Sequence, residues 1–402
     1  MILDFSKYAK INKETFSYIC EKSEVTSEFL AQKTHIPQKK IDQFKIPENN
    51  IYPTIRQAKK LAKILLLPFA ALYLKKENID PKFFGKKINL KKRTIANGIS
   101  IDKNSLNLVS IELIRAKEFL LATENDFLLP HCKLSLPKIP NHITDSEFAR
   151  LIRDFFELKI EDQFQLTSDR QFYLYVRNKI ENKGIFVQCF TIPKVEELRG
   201  LSIYDEHMPI IGINFRDSSS AKTFSIIHEL VHILRYDSTF STNFDLSDSS
   251  QFDQSSVHDS ESYCNKISGE VLVPTNELEK FLQNSKINKI TMPYINKIHD
   301  KFHVSKEAIC RRLLNTKHIN HDDFERFTKF LNNSHKEKAS PSEQKKLIRN
   351  LIRETIDKNS PSLSKILLYG FSEGYFNEID LSRLLNIKDT HVIPIINEIE
   401  KL

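Results

Sequence analysis

The sequence predicts a mainly α-helical protein with one small β-sheet, an α+β fold built from several modules. Apolar residues recur at the spacing of amphipathic helices over much of the chain. Between residues 184 and 214 the pattern changes to three short apolar runs bounded by Gly and Pro, which indicates strands. The chain has 402 residues, of which 40% are hydrophobic, enough for roughly two to four separate cores.

The charge of the chain is uneven. Residues 1–100 contain 20 Lys and Arg against 9 Asp and Glu, a net charge of +11, whereas the whole chain carries a formal charge of +8. A basic N-terminal part joined to a near-neutral remainder indicates that this part meets a polyanion such as a nucleic acid.

Three features bear on the class of protein. No apolar run reaches the roughly 18 residues of a membrane span, and the N-terminus lacks the pattern of a signal peptide, so we expect a cytoplasmic protein. The cysteines are odd in number, scattered and never spaced C-x-x-C: Cys20, Cys132, Cys189, Cys264 and Cys310. This distribution argues against a disulfide framework or a Cys-type zinc site, and we expect reduced thiols.

The segment from Ser27 to Phe44 predicts two short helices joined by a tight turn, the spacing of a helix-turn-helix. The residues expected to pack inward are Leu30, Ala31, Ile36, Ile41 and Phe44. The residues expected on the exposed face of the second helix are Gln38, Lys39, Lys40, Asp42 and Gln43. An amphipathic helix that begins near Pro53 closes the bundle, so residues 1–80 are predicted to form one helix-turn-helix-like domain.

This N-terminal segment resembles the phage-repressor (XRE-type) helix-turn-helix. It departs from that pattern at His35, which occupies the turn position where the family usually has Gly. His can adopt the positive φ of such a turn at some energetic cost. The domain is therefore predicted either to bind DNA or to dock a protein, and the candidate contacts for both roles are Gln38, Lys39, Lys40 and Gln43.

The rest of the chain is predicted to be helical apart from the strands. Residues 81–104 form a Lys-rich linker, residues 105–283 a central domain, and residues 284–333 a helical element with a second helix-turn-helix-like pattern. The polar residues 334–346 are predicted to be a linker before a C-terminal helical domain, residues 347–402. The strands of the central domain are predicted at 184–190, 198–204 and 209–214.

The strands precede the motif His228-Glu229-Leu-Val-His232 on a segment with helical apolar periodicity. Residues four apart lie on one face of a helix, so the two histidines can offer two imidazoles to one Zn²⁺. Glu229 beside them can accept a proton from water as a general base. The apolar residues around the motif cover the other faces, as expected for a helix buried in a core.

A catalytic zinc ion needs a third protein ligand and one open position. The third His of a metzincin is absent, since Arg235 and Ser238 stand where that pattern has Gly and His. A carboxylate from a second helix is the alternative, and the helical segment 258–274 offers Glu261. Asn265 lies on the same helix face, where it can orient a ligand from the second shell.

These two segments together resemble the ImmA/IrrE family of metallopeptidases. The resemblance implies a gluzincin-like core flanked by helix-turn-helix-like modules, one Zn²⁺ per chain held by His228, His232 and Glu261, and Glu229 as the catalytic base. Cys264 stands where the pattern usually has Ala, and its thiol either competes for metal or packs as a small buried side chain. The candidates considered for stabilising the oxyanion are Tyr263, His258, His207 and Tyr236.

The resemblance also implies a reaction and a partner. Family members cleave a peptide bond in a partner protein, typically a transcriptional repressor of a phage, mobile-element or stress-response circuit, so we expect such a repressor as the protein substrate. The alternative is a DNA-binding transcriptional regulator whose zinc site is inert or structural. The presence of all four residues of the site favours the peptidase.

Overall fold

The computed structural model describes residues 7–65, 67, 69–79, 109, 112–113, 134–140, 142–191, 198–205, 208–239, 254–285, 289–338, 351–375, 377–387 and 391–399. The chain divides into one compact unit of residues 1–89 and 96–125 and a second of residues 90–95 and 126–402. The prediction of a mainly helical protein with a small sheet is confirmed. The predicted linker 81–104 lies outside the described residues, as does most of the helix expected over 105–129.

The first unit is a small helical bundle. Its helices are α1 (Lys13–Lys22), α2 (Ser27–Thr34), α3 (Gln38–Gln43) and α4 (Ile55–Ile64), followed by 3₁₀ turns at Phe69–Tyr73 and Lys76–Asn78. Side-chain caps set three of the starts, because Asn12, Thr26 and Thr54 accept hydrogen bonds from the first-turn amides of α1, α2 and α4. The four helices enclose one apolar core.

The turn between α2 and α3 has the predicted geometry. His35 ends α2 in the left-handed conformation, with φ of 59° and ψ of 30°. Leu30, Ile36, Ile41 and Phe44 are buried, whereas Ala31 is only partly buried. On α3 the outward residues are Gln38, Lys39, Lys40 and Asp42, with Gln43 half-buried. The unit therefore presents a short polar helix at its surface.

The second unit begins with the helices α5 (Asp145–Phe155), α6 (Ile160–Gln165) and α7 (Asp169–Glu181), and α7 packs against the first strand of the sheet. The sheet has the strands β1 (Phe186–Phe190), β2 (Gly200–Ile203) and β3 (Ile210–Asn214). Their order is β1-β3-β2, with β1 parallel and β2 antiparallel to β3. The predicted strands are thus present, and β2 lies at an edge of the sheet.

Two long helices follow, α8 (Ser219–Thr239) and α9 (Gln254–Leu272), and they pack on each other and on the neighbouring elements. Four more continue the unit: α10 (Thr275–Asn284), α11 (Met292–Phe302), α12 (Lys306–Asn315) and α13 (His321–Lys338). Helix α13 runs into the segment predicted to be the linker 334–346, a correction to that boundary. Pro341 is the first strong helix breaker in the segment, so the helix can continue past residue 334.

The C-terminal helices are α14 (Leu351–Lys358), α15 (Pro361–Ser372), α16 (Glu378–Leu384) and α17 (Val392–Ile399). They are fixed to the sheet through Arg177, a fully buried side chain of α7. Its guanidinium donates to the carbonyls of Val187 in β1, of Asp357 in the last turn of α14, and of Asn359 just after that helix. Among the C-terminal helices, α14 thus packs against β1.

None of the described helices combines the length and apolar character needed to cross a membrane.

Candidate metal site

Helix α8 carries the motif through the middle of the core. Ile226, Ile227, Leu230 and Val231 are buried, as the periodicity predicts. The segment before the helix is fixed by polar contacts, since Asn214 at the end of β3 donates to the Leu198 carbonyl and Arg199 pairs with Asp217 at 3.0 Å. These contacts hold the chain between the end of β3 and the start of α8.

The structure brings His228, His232 and Glu261 together. The Nε2 atoms of the two histidines are 3.1 Å apart. Glu261 on α9 places Oε2 3.1 Å from His228 Nε2 and Oε1 3.2 Å from His232 Nε2. One ligand atom from each of the three residues lies within 4.8 Å of the others, so the cluster can hold a metal ion.

The pKa values of Glu261 and His232 are shifted in opposite directions. Burial by itself raises the pKa of Glu261, but hydrogen bonds from His228 and His232 hold it well below its usual value. Burial lowers the pKa of His232, but Cys264 and Glu261 outweigh it and raise the pKa to about 10. The carboxylate therefore stays ionised beside the two imidazole rings, and these are groups that can also bind a divalent cation.

Glu229 is buried beside the cluster, with 3% of its surface exposed. Its Oε1 atom has no hydrogen-bond partner among the described residues. A buried carboxylate oxygen without a hydrogen-bond partner destabilises the fold, and such groups are often retained because they have a function. The donor set of two imidazoles and one carboxylate, with a carboxylate next to it, fits a catalytic zinc ion.

Gly200 in β2 makes room for Glu229. A Cβ atom at this position would lie 3.0 Å from Glu229 Oε1 and 3.2 Å from its Cγ. Only glycine therefore allows the strand to pass this close to the carboxylate without displacing it. The sequence contains the signal for this contact, because a glycine inside a strand often marks a close approach, but it does not identify the residue that approaches.

Helix α9, which carries Glu261, is held at its far end by three side chains from other helices. Arg153 donates to the Val271 carbonyl at 2.7 Å, Gln163 to that of Leu272 at 3.1 Å, and Arg312 to that of Val273 at 2.9 Å. The last carbonyls of a helix have no partner within the helix, and cationic groups at this end also interact favourably with the helix dipole. Sequence reasoning did not find these contacts.

Arg312 also pairs with Glu270, which in turn accepts hydrogen bonds from Thr275 at the start of α10. The pair is almost completely buried, with side-chain exposures of 5% and 12%. It joins the end of α9 to α12 and α10. We call the contacts of Arg153, Gln163 and Arg312 with these three carbonyls the α9 clamp.

The other predicted residues lie in different places. Asn265 is exposed on α9, and its role in orienting a ligand stays a prediction. Tyr263 is half-buried, and the Arg235 guanidinium lies 4.7 Å from its ring centre. His207 lies outside the described residues, as do the side chains of Tyr236 and His258, so none of these is placed as an oxyanion donor. Gln38, Lys39, Lys40 and Gln43 belong to the first unit.

One comparison with known proteins matches the part of the chain that contains this site. Residues 184–314 match the family model described as the IrrE N-terminal-like domain, Peptidase_M78. The matched segment contains the sheet, the histidines, Glu229 and Glu261. No curated protein and no solved structure is similar enough to match the chain.

Proposed function

We propose that this chain is a zinc-dependent endopeptidase that cleaves a partner regulatory protein, since residues 184–314 match the model of the IrrE N-terminal-like domain (Peptidase_M78). The observation that carries the proposal is the convergence of His228, His232 and Glu261 beside the buried carboxylate of Glu229. The proposed substrate is a transcriptional repressor, the class of protein that the resemblance implies.

In this proposal His228 and His232 hold the zinc ion through Nε2 and Glu261 holds it through its carboxylate, since these are the atoms that face one another. A zinc ion in such a site supplies Lewis acidity, which polarises a carbonyl group and lowers the pKa of water. With three protein ligands, a zinc ion held here could also take a substrate or water ligand, as catalytic rather than structural zinc requires.

Glu229 performs the proton transfers. Its Oε1 atom accepts the proton of the attacking water and later gives a proton to the nitrogen of the leaving amine. Burial keeps bulk water away from this carboxylate, and the absence of a partner for Oε1 among the described residues leaves a lone pair for the incoming proton. The close approach of Gly200 limits where the carboxylate can lie.

The edge of β2 is the proposed place for the substrate backbone. Among the described strands β2 pairs only with β3, so its other edge can hydrogen-bond to an extended peptide. This edge begins at Gly200, next to Glu229. Backbone pairing would hold many sequences, so recognition of one partner protein needs further contacts outside the site.

The test is Glu229→Gln, with the purified protein incubated with candidate repressor proteins until one is found that the wild type cleaves. The side chain keeps its shape and all three ligands remain, so zinc content and melting temperature should match those of wild type. Cleavage should fall by about 10²- to 10⁴-fold, the usual contribution of a general base. Glu325→Gln, a change at an exposed residue of α13, is the matched control. Undiminished cleavage by Glu229→Gln would overturn the proposal.

A second candidate function is DNA binding by the first unit. The observation that favours it is the exposed polar surface of α3 on a segment with a net charge of +11. A DNA-binding regulator would bind duplex DNA with an affinity that falls steeply as salt rises. Titration of the full chain with duplex DNA at several salt concentrations tests this, and binding that is absent or insensitive to salt favours a protein-docking role instead.

A further inference from the structure

We infer that Cys264 is a positioning residue for His232: its sulfur accepts the hydrogen bond from Nδ1 that turns Nε2 toward the metal. This inference rests on the proposed function, because it concerns a ligand of the proposed zinc site. It identifies a role for a completely buried thiol that the proposed reaction does not use.

The geometry divides the two ring nitrogens of His232 between two neighbours. Cys264 Sγ lies 3.6 Å from Nδ1, within the range of a hydrogen bond to sulfur. Nε2 lies on the side of His228 and Glu261, at 3.1 and 3.2 Å from them. Cys264 is completely buried, so the thiol is held against the ring by the packing of α8 and α9.

The direction of the hydrogen bond follows from the requirements of metal binding. A nitrogen that binds a metal gives it a lone pair, so Nε2 of the neutral ring cannot carry the proton. The proton must then lie on Nδ1, and an N–H group in a mostly buried position needs an acceptor. The Cys264 sulfur is a weak acceptor, but it lies within hydrogen-bond distance of Nδ1. In other metal sites a carboxylate or a backbone carbonyl usually accepts this hydrogen bond.

The same geometry argues against Cys264 as a fourth ligand. Sγ contacts the nitrogen on the other side of the ring from the metal site. The ligand atoms that lie within 4.8 Å of one another come from His228, His232 and Glu261, and within the described part of the chain Cys264 is not one of this group. Its contribution is therefore to the orientation and tautomer of His232.

The first experiment measures the zinc dissociation constant by competition with a chelator. Cys264→Ala removes the acceptor and should weaken zinc binding by roughly 10- to 100-fold, as is typical when an outer-shell partner is lost. Cys264→Ser keeps an acceptor and should bind zinc with intermediate affinity. Cys310→Ala is the matched control, because it removes another completely buried thiol, on α12, and should leave zinc affinity unchanged.

The second experiment observes the ring itself. In zinc-loaded protein labelled at histidine nitrogens, the Nδ1–H signal of His232 should be protected from exchange in wild type and less protected in Cys264→Ala. A change confined to overall packing would not alter this signal selectively, and Cys310→Ala should not alter it.

Two results would overturn the inference. One is equal zinc affinity for Cys264→Ala and Cys310→Ala. The other is a sulfur-to-metal charge-transfer absorption in the Co²⁺-loaded wild type that Cys264→Ser lacks, because this would make Cys264 a ligand. A wild-type chain that binds no zinc is a distinct outcome, since it rejects the metal site and with it any role for Cys264 there.

Discussion

Gly200 in β2 passes so close to Glu229 that a Cβ atom would lie 3.0 Å from its Oε1. Because residue 200 has no side chain, the Glu229 carboxylate can lie directly beside the strand edge that we propose for the substrate. The contact therefore joins two parts of the proposed site. Glu229 is the proton acceptor, and Gly200 is the first residue of the strand edge that would pair with the substrate backbone.

Gly200→Ala should therefore damage catalysis more than metal binding. The added methyl group displaces the Glu229 carboxylate by a few tenths of an ångström, and misplacement of about 1 Å can cost roughly 100-fold in rate. We expect kcat to fall by about 10- to 100-fold while zinc content stays at the wild-type level. Gly269→Ala is the control, because its Cβ would be 3.5 Å from Arg312 Cδ, an ordinary contact. Equal activities of the two variants would contradict the proposed role of Gly200.

His232→Ala should yield protein that is nearly free of metal. Removing a direct ligand should weaken zinc binding by more than the roughly 10- to 100-fold that is lost with an outer-shell partner, because only two of the three protein ligands remain. Elemental analysis after dialysis against a weak chelator measures this. His321→Ala, at an exposed histidine of α13, should retain full zinc. A full complement of zinc in His232→Ala would show that the ligand assignment is wrong.

Arg312→Ala should destabilise the fold through the α9 clamp. The change leaves the Glu270 carboxylate buried without its cation and the Val273 carbonyl without its donor. Breaking a buried ion pair on one side costs about 3 to 5 kcal/mol, which denaturant unfolding can measure. The neighbouring exposed residue gives the control, since Arg311→Ala removes only a stacking contact with Phe324 and should cost less than about 1 kcal/mol. Similar losses for both variants would show that the clamp contributes little.

The double variant Lys39→Gln/Lys40→Gln tests the second candidate function. If both lysines meet phosphates, the slope of log affinity against log salt should become shallower by up to about 1.8, or 0.9 for each contact. Lys280→Gln/Lys329→Gln removes the same charge from exposed positions in the second unit and should leave the slope unchanged. An unchanged slope in Lys39→Gln/Lys40→Gln would instead favour a protein-docking role for the exposed surface of α3.

The sequence by itself determined the features that depend on local geometry. The i, i+4 spacing of His228 and His232 places both on one helix face, and the apolar residues between them predict the burial that α8 has. The three strands were readable because the change of period and the flanking Gly and Pro residues are local signals. Glu261 required the family resemblance, since it is 33 residues from His228 and a single carboxylate on a helix carries no local signal.

Only the tertiary structure decided the relationships between distant residues. The strand order β1-β3-β2, the contact of Gly200 with Glu229, the contact of Cys264 with His232, and the α9 clamp all join elements far apart in the chain. Periodicity specifies which face of an element is buried but not which partner covers it, because many apolar faces are interchangeable. Polar contacts in a core are specific only after packing has brought the donors and acceptors together, so the groups that position the site became visible only in the folded chain.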